Sequence, residues 1–405
     1  MKPRLDNLLR RSIISLTAFG IIGLYALLAL NISLFNPISK AIGDYSINDF
    51  YYQILASTAT PDTSTMVTIV DMSQVKDRGR IATIFQEVER QHPKVIGVDI
   101  VFEGLKENHQ ADMQIAMTSL DMKNTYFSYK LIDDSFRDGN YHETIHSFFA
   151  HDITPPINEG FTNMPRNLYG GIKRKLSLGR MVNGKLEPSL VKQVADCYSE
   201  KELRPLTNED IRINYSPTVF PIVPCDSIAQ YRHLLEDRIV LIGAIHEESD
   251  MHYTPVGKIA GVKLLGYAIE TLIMGNSTKN LPLWLTAILS FIVVLFAKYV
   301  LDVYDGFTKR RSPLLSIVLS FILIKGLVRF FLMAFIVWVA FILFCKYNIS
   351  FNTVYALSAM AFLLASDNIY EKLSEYLKGK RQKRAKRKLQ ASTNPESVIN
   401  HPSSK

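Results

Sequence analysis

Two aspartates invite a chemical reading first. Asp71 and Asp99 lie at or near the ends of two apolar runs, MVTIVDM (Met66–Met72) and KVIGVDIVF (Lys94–Phe102). In open parallel sheets ligand crevices form outside the carboxyl ends of the strands. Two carboxylates there could serve as acid and base of a hydrolase; the plainer reading is that each bonds nearby backbone or an Arg. His246, Asp250 and His252 are close along the chain, as metal ligands or as solvated turn residues. The stretch DRIVLIGA (Asp237–Ala244) is a buried strand running into a glycine turn, the entry to many nucleotide sites. A dinucleotide needs G-x-G-x-x-G at that turn, because only bare backbone lets a pyrophosphate reach the helix N-terminus. Here the chain continues GAIHEESD, with one glycine and two glutamates that repel phosphate. The sequence also lacks a Walker lysine, G-x-S-x-G, H-E-x-x-H and C-x-x-C, the signatures of phosphate loops, serine hydrolases, zinc proteases and thiol-based metal or redox sites. The expectation is no enzyme activity, no metal and no cofactor.

The elements that carry these residues alternate. Met66–Met72 reads as a strand, and Arg80–Arg90 as a helix with Ile81, Ile84, Phe85 and Val88 at helical spacing. Lys94–Phe102 is too apolar for a strand with one wet face, so strand, helix, strand forms a βαβ unit of a parallel sheet. Helices are expected over Asp112–Leu120, Ser189–Tyr198, Ser227–Tyr231 and Lys263–Met274. Strands are expected over Thr125–Lys130, Ile211–Tyr215 and Arg238–Gly243, and Asp133–Glu159 reads as an insertion or long loop. This order predicts a three-layer α/β domain with a mostly parallel sheet.

That domain is flanked by lipid-soluble segments. The chain of 405 residues is 48% hydrophobic yet 21% charged, and the two classes are segregated. About 20 apolar residues cross roughly 30 Å of hydrocarbon as a helix, and four runs approach that length: Ser12–Leu30, Leu281–Ala297, Phe330–Cys345 and Ile349–Ser366. The reading is four spans, at 12–34, 281–301, 327–346 and 349–366, forming an α-helical bundle. A cleaved signal peptide is the alternative for the first, but its apolar run exceeds the usual 7–15 residues and no A-x-A site follows.

Lys and Arg resist translocation and so set orientation. Lys2, Arg4, Arg10 and Arg11 place residues 1–11 in the cytoplasm; Lys309, Arg310 and Arg311 do the same for the loop 302–326, and ten Lys or Arg against four Asp or Glu for the tail 367–405. Residues 35–280 are then extracytoplasmic. With 25 basic against 31 acidic residues they are net −6, so the overall charge of +8 belongs to the flanks and is no argument for nucleic acid. The basic helix KGKRQKRAKRK (Lys378–Lys388) suits anionic lipid, at around 1 kcal/mol per cation held near the surface, or an effector protein, or solvent alone. Leu314–Ile324 is apolar but followed by Lys325 and Arg329. It reads as a surface-lying helix, as part of one long span with paired cations, or as a segment whose cations reach the interface. Cys197 and Cys225 lie in the outer domain, where a disulfide or two free thiols are both allowed.

The strings VTIVDMS (Val67–Ser73), VIGVDIVFEG (Val95–Gly104), EGFTN (Glu159–Asn163) and RIVLIGAIHEESDMHYTPVGKIAGVKLLGYAIETLIMGN (Arg238–Asn276) resemble the CHASE2 sensory domain. One span before such a domain and three after it is similar to that family's layout. The resemblance implies a sensor of an extracytoplasmic signal in a bacterial inner membrane, and marks Asp71, Asp99, Phe102, Asn163, Asp250 and Thr254 as candidate ligand-binding residues. In the family the spans usually deliver the signal to a fused cyclase or kinase. Here 39 polar residues follow the last span, too few to bury a catalytic core, so a separate cytoplasmic effector is expected, and a homodimer is allowed. Two departures touch ligand-contact surfaces: Gln74–Arg80 holds no tryptophan, and Gly266 and Tyr267 occupy the last helix. The alternatives are a non-sensing scaffold of an envelope complex and, third, a hydrolase using Asp71 and Asp99.

Overall fold

A computed structural model describes residues 2–31, 47–147, 157–165, 171–310 and 322–393. The chain divides into two compact units. One is drawn from Lys40–Asn280 together with Leu343–Ser350, the other from Met1–Ser39, Leu281–Ile342 and Phe351–Lys405.

The first unit is mixed α/β, as expected, and carries several sheets. Its largest sheet contains β1 (Val67–Asp71), β2 (Val95–Val98), β3 (Thr125–Leu131), β4 (Thr144–Ile145), β5 (Glu159–Phe161), β6 (Ile222–Pro224) and β7 (Ile239–Gly243). The order is β6-β1-β7-β2-β3, with β5 and β4 on the far edge of β3. All pairs are parallel except β3 with β4. Central strands are almost wholly apolar because they are covered on both faces. Alternate residues feed different cores. Val67, Ile69, Ile239 and Leu241 pack with α5 (Leu190–Ser199) and α6 (Gly261–Met274). Val70, Val240 and Ile242 pack with α3 (Arg78–Glu89) and, through Ile115, α4 (His109–Asp121).

Local chemistry sets the helix ends. Asp77, Asn108 and Ser189 each accept a backbone N–H from the first turn of α3, α4 and α5, the usual N-cap bond. Helix α6 stops at Gly275, whose φ of 63° is left-handed backbone that glycine adopts without Cβ strain. The Asp133–Glu159 region holds short strands where it is described, at Phe136–Arg137, Asn140–Tyr141 and Thr144–Ile145; residues 148–156 lie outside the described residues. The helix α2 (Ile47–Thr58) and the hairpin Met251–Thr254 with Gly257–Ala260 are additional elements. Cys197 and Cys225 are free thiols; they belong to the two different cores.

The second unit is helical. It draws on α1 (Lys2–Asn31), α7 (Leu283–Lys309), α8 (Ile322–Tyr347) and α9 (Val354–Thr393). Three of these hold stretches long and apolar enough to cross a membrane: Asp6–Leu24, Leu283–Lys309 and Gly326–Tyr347. The fourth expected span is not among them. Ile349–Ser350 is a strand paired with Lys279–Asn280, so α9 begins at Val354, five residues after the expected start of that run. Its apolar start is nonetheless buried among the other helices: Ala356, Ala359, Met360 and Leu363 pack with Ile14, Ala18, Val294 and Ala297. At one end of this bundle Lys298, 4% exposed, bridges Asp302 and Asp367 at 2.8 Å each, and Arg11 donates to Asp302 at 2.7 Å. The surface-helix reading of Leu314–Ile324 falls largely outside the described residues.

Candidate functional site

The carboxyl ends of β1, β7 and β2 lie side by side, because Gly243 pairs with Asp71 and Ile242 with both Val70 and Val98. The Asp99 N–H donates to the Ile242 carbonyl at 2.8 Å and extends that register by one residue. A Cβ on Gly243 would stand 3.1 Å from the Val262 side chain and 3.3 Å from the Asp99 Cβ, so the bare glycine is what lets the start of α6 close over this edge.

Asp71 serves as a tie between strand ends. Its Oδ1 accepts from the Ser73 N–H at 3.0 Å, the Ser73 hydroxyl at 2.5 Å and the Ile245 N–H at 3.3 Å. Ser73 Oγ in turn accepts the N–H groups of Ile245 and His246. Phe102 is a core side chain, edge-on to Phe85 at 6.3 Å. Asn163 mimics a strand neighbour, exchanging two hydrogen bonds with the backbone of Leu131 at 2.7 and 2.9 Å. The Thr254 hydroxyl donates to the Gly257 carbonyl at 2.7 Å and closes the hairpin.

Asp99 and Asp250 are the two candidates brought together with charge to spare. Burial first, then the Asp250 charge, push the Asp99 carboxyl up to about 7; Lys130 and His252 act in the opposite direction. Among the described residues the Asp99 side chain receives no hydrogen bond, which leaves desolvation uncompensated. Asp250 lies against the first turn of α6: a Cβ on Gly261 would be 2.5 Å from Asp250 Oδ2. The end of a helix with free N–H groups favours that negative charge. His252 Nε2 is 3.5 Å from Asp250 Oδ1. The arrangement can bind or release a proton near neutrality and answer to the charge of an incoming group. Among the described residues no group of three or more His, Cys, Asp or Glu could hold a metal ion; of the three residues read as metal ligands, only His252 and Asp250 meet.

Other polar groups escaped the motif reading because their partners are remote in sequence. Ser64 Oγ donates to Glu270 Oε1 of α6 at 2.5 Å across 206 positions, and burial raises that carboxyl against the bond. Arg78 and Asp112, both nearly inaccessible, form a buried ion pair between α3 and α4. The segment after α6 is stitched as well. The Asn276 carbonyl accepts from Asn214 Nδ2 at 3.3 Å and Asn348 Nδ2 at 2.5 Å, and Thr278 Oγ1 donates to Asn348 Oδ1 at 3.0 Å. Phe344, 4% exposed, stands edge-on to Tyr51 and Tyr52 in the core that also holds α5 and α6. The signal missed in sequence was the polar pair Asn276 and Asn348 at the two ends of apolar runs.

Neither the comparison with curated proteins nor that with solved structures gives a match. The family model of the CHASE2 domain matches residues 21–300, which takes in every strand of the main sheet, the Asp99–Asp250 edge and α6. The chain therefore belongs to the CHASE2 domain family of sensory domains.

Proposed function

We propose that this protein senses an extracytoplasmic signal with its α/β unit and relays it through its membrane helices to a separate cytoplasmic effector. The observation that carries the relay is the stitching of Leu343–Ser350 into the α/β unit. Lys279 and Asn280, shortly before α7, pair with Ile349 and Ser350 between α8 and α9, and Phe344, on the last turns of α8, is part of the same core as α6. A rearrangement at the N-terminus of α6, where Asp250 and Asp99 lie, thus acts on the ends of three helices at once.

The ligand-responsive edge in this reading is Asp99 with Asp250 and His252. Asp71, Phe102, Asn163 and Thr254 hold its scaffold, and a non-enzymatic role fits their engagement with backbone and core. Two cores on alternate strand residues favour a three-layer stack. The burial of Ala356, Ala359, Met360 and Leu363 among α1 and α7 residues favours a fourth crossing by the start of α9. The cations flanking the apolar helices favour both chain ends on the cytoplasmic side of a bacterial inner membrane, with the α/β unit on the other side. Helix α9 has 40 residues, about 60 Å at 1.5 Å per residue. Its basic side chains from Lys378 to Arg384 are exposed and reach past the lipid to meet the effector.

In-cell photo-crosslinking from positions Lys378–Arg384 tests this. The expected outcome is capture of one cytoplasmic protein, in an amount altered by Asp250→Asn. Recovery of no cytoplasmic protein sinks the relay. Constant capture of envelope proteins by the α/β unit, whatever the growth condition, favours the scaffold reading.

A further inference from the structure

Helix α4 (His109–Asp121) buries one side and leaves the other bare. Asp112, Ile115, Ala116 and Ser119 are buried, and Ile115 joins the core that holds Phe85 and Phe127. On the opposite side Met113 is 63%, Met117 60% and Leu120 37% exposed. Their spacing of i, i+4 and i+7 makes one continuous apolar stripe. Single apolar side chains on a surface need no explanation, but a stripe along one helix face is the form of a contact surface.

The ends of the helix indicate what the stripe meets. Helix N-termini favour anions and C-termini favour cations. Here the exposed end residues are reversed. His109 opens α4, the last turn holds no basic residue, and Asp121 closes it with no ion-pair partner among the described residues. His109 Nδ1 is 4.0 Å from Asp112 Oδ2, a carboxylate already held by Arg78. An antiparallel copy of the same helix corrects both ends, since it brings a C-terminus to each N-terminus.

The register is self-complementary. Ile115 is the midpoint of His109–Asp121 and, at 3.6 residues per turn, lies opposite the face shared by Met113 and Met117. A twofold axis through that face at the midpoint sets Met113 against Met117 of a second copy, and His109 against its Asp121, each twice by symmetry. Glu107 and Lys123, exposed just beyond the two ends, fall on the same register with opposite charges. Sliding one copy by a turn sets Met113 against Asp121 instead, and a parallel pair sets Asp121 against Asp121. Three apolar side chains fall short of the about 20–30 residues a side of a stable soluble complex. Copies carrying membrane-crossing helices meet at a high effective concentration, where a small face suffices.

We infer that this face of α4 is a contact between two copies of the chain, packed antiparallel about Ile115. The assignment does not rest on the sensing reading above.

The test uses the full chain in membranes, with its own free cysteines as background. Two differently tagged copies, Met113→Cys in one and Met117→Cys in the other, are co-expressed and treated with copper phenanthroline. The expected result is a covalent pair of the two tags, several-fold more abundant than with either variant alone or with the parent chain. Two Met113 positions are offset by about 6 Å along the axis in this register, which disfavours their self-pairing. Asp121→Lys should cut the yield several-fold, and His109→Asp added to it should restore it. Asp121→Lys puts a cation at the helix's own C-terminus, which favours the helix, so unfolding does not account for a loss. Equal yields for all cysteine arrangements, no covalent pair, or adducts to other proteins alone overturns the assignment. So does a yield indifferent to Asp121→Lys or unrestored by the charge swap.

Discussion

At the scale of single residues, Asp99 is a carboxyl whose surroundings hold its proton well above the usual carboxylate range. Its carboxyl keeps a proton up to about 7 in the folded chain, against 3.8 as the usual value. For a carboxyl raised on folding, the stabilisation is fully present below the unfolded value and is lost as pH rises through the folded one. Stability should therefore fall between about pH 4 and pH 7, by on the order of a few kcal/mol. Asp99→Asn cannot ionise, so its unfolding midpoint should vary less over that window than the wild type's. Parallel curves for the two proteins would show that another group carries the slope. The sequence placed Asp99 at a strand end. It could not tell that Asp71 would accept bonds from Ser73 and Ile245 while Asp99 would accept none among the described residues, since both follow an Ile–Val or Val pattern and precede a loop.

At the scale of elements, helix and strand positions were legible because caps and periodicity are local. Ser189 and the Ile81, Ile84, Phe85 and Val88 pattern both sit where the sequence placed them. Contacts between elements were not legible, and Gly160 illustrates why. A Cβ there would lie 2.5 Å from the Leu190 backbone nitrogen and Cα, so β5 and the start of α5 touch backbone to backbone. Neither partner can yield as a flexible side-chain tip could. Gly160→Ala should cost about 1–3 kcal/mol and lower the unfolding midpoint of the α/β unit. A midpoint unchanged from wild type would mean that β5 can move off α5 freely. In the sequence, Gly160 was one letter of a family-like string with no mechanical meaning.

At the scale of the whole molecule, the decisive feature is that the turn between α8 and α9 belongs to the α/β unit. Phe344 sits on a helix of membrane-crossing length yet packs among the tyrosines of the α/β core. Phe344→Ala should therefore destabilise the α/β unit, by about 3–5 kcal/mol for a fully buried ring, rather than only the helical one. Hydrogen exchange would detect this as faster exchange in α6 and in the Asp210–Arg212 strand. Faster exchange limited to α7, α8 and α9 would place Phe344 outside the α/β core. The same turn explains the overextended fourth run, in which Ile349 and Ser350 read as hydrophobic helix and form a strand with Lys279 and Asn280.

The amino-acid sequence alone determined the alternation of strands and helices, the positions of three apolar helices and the family, because each depends on neighbours within a few turns of chain. Only the tertiary structure decided which acid is left unbonded and where the last apolar helix begins. Those outcomes depend on hydrogen bonds and packing between residues far apart in sequence, such as Asn214 with Asn276, 62 positions apart, and Ser64 with Glu270, 206 apart. No local pattern carries information about such pairs.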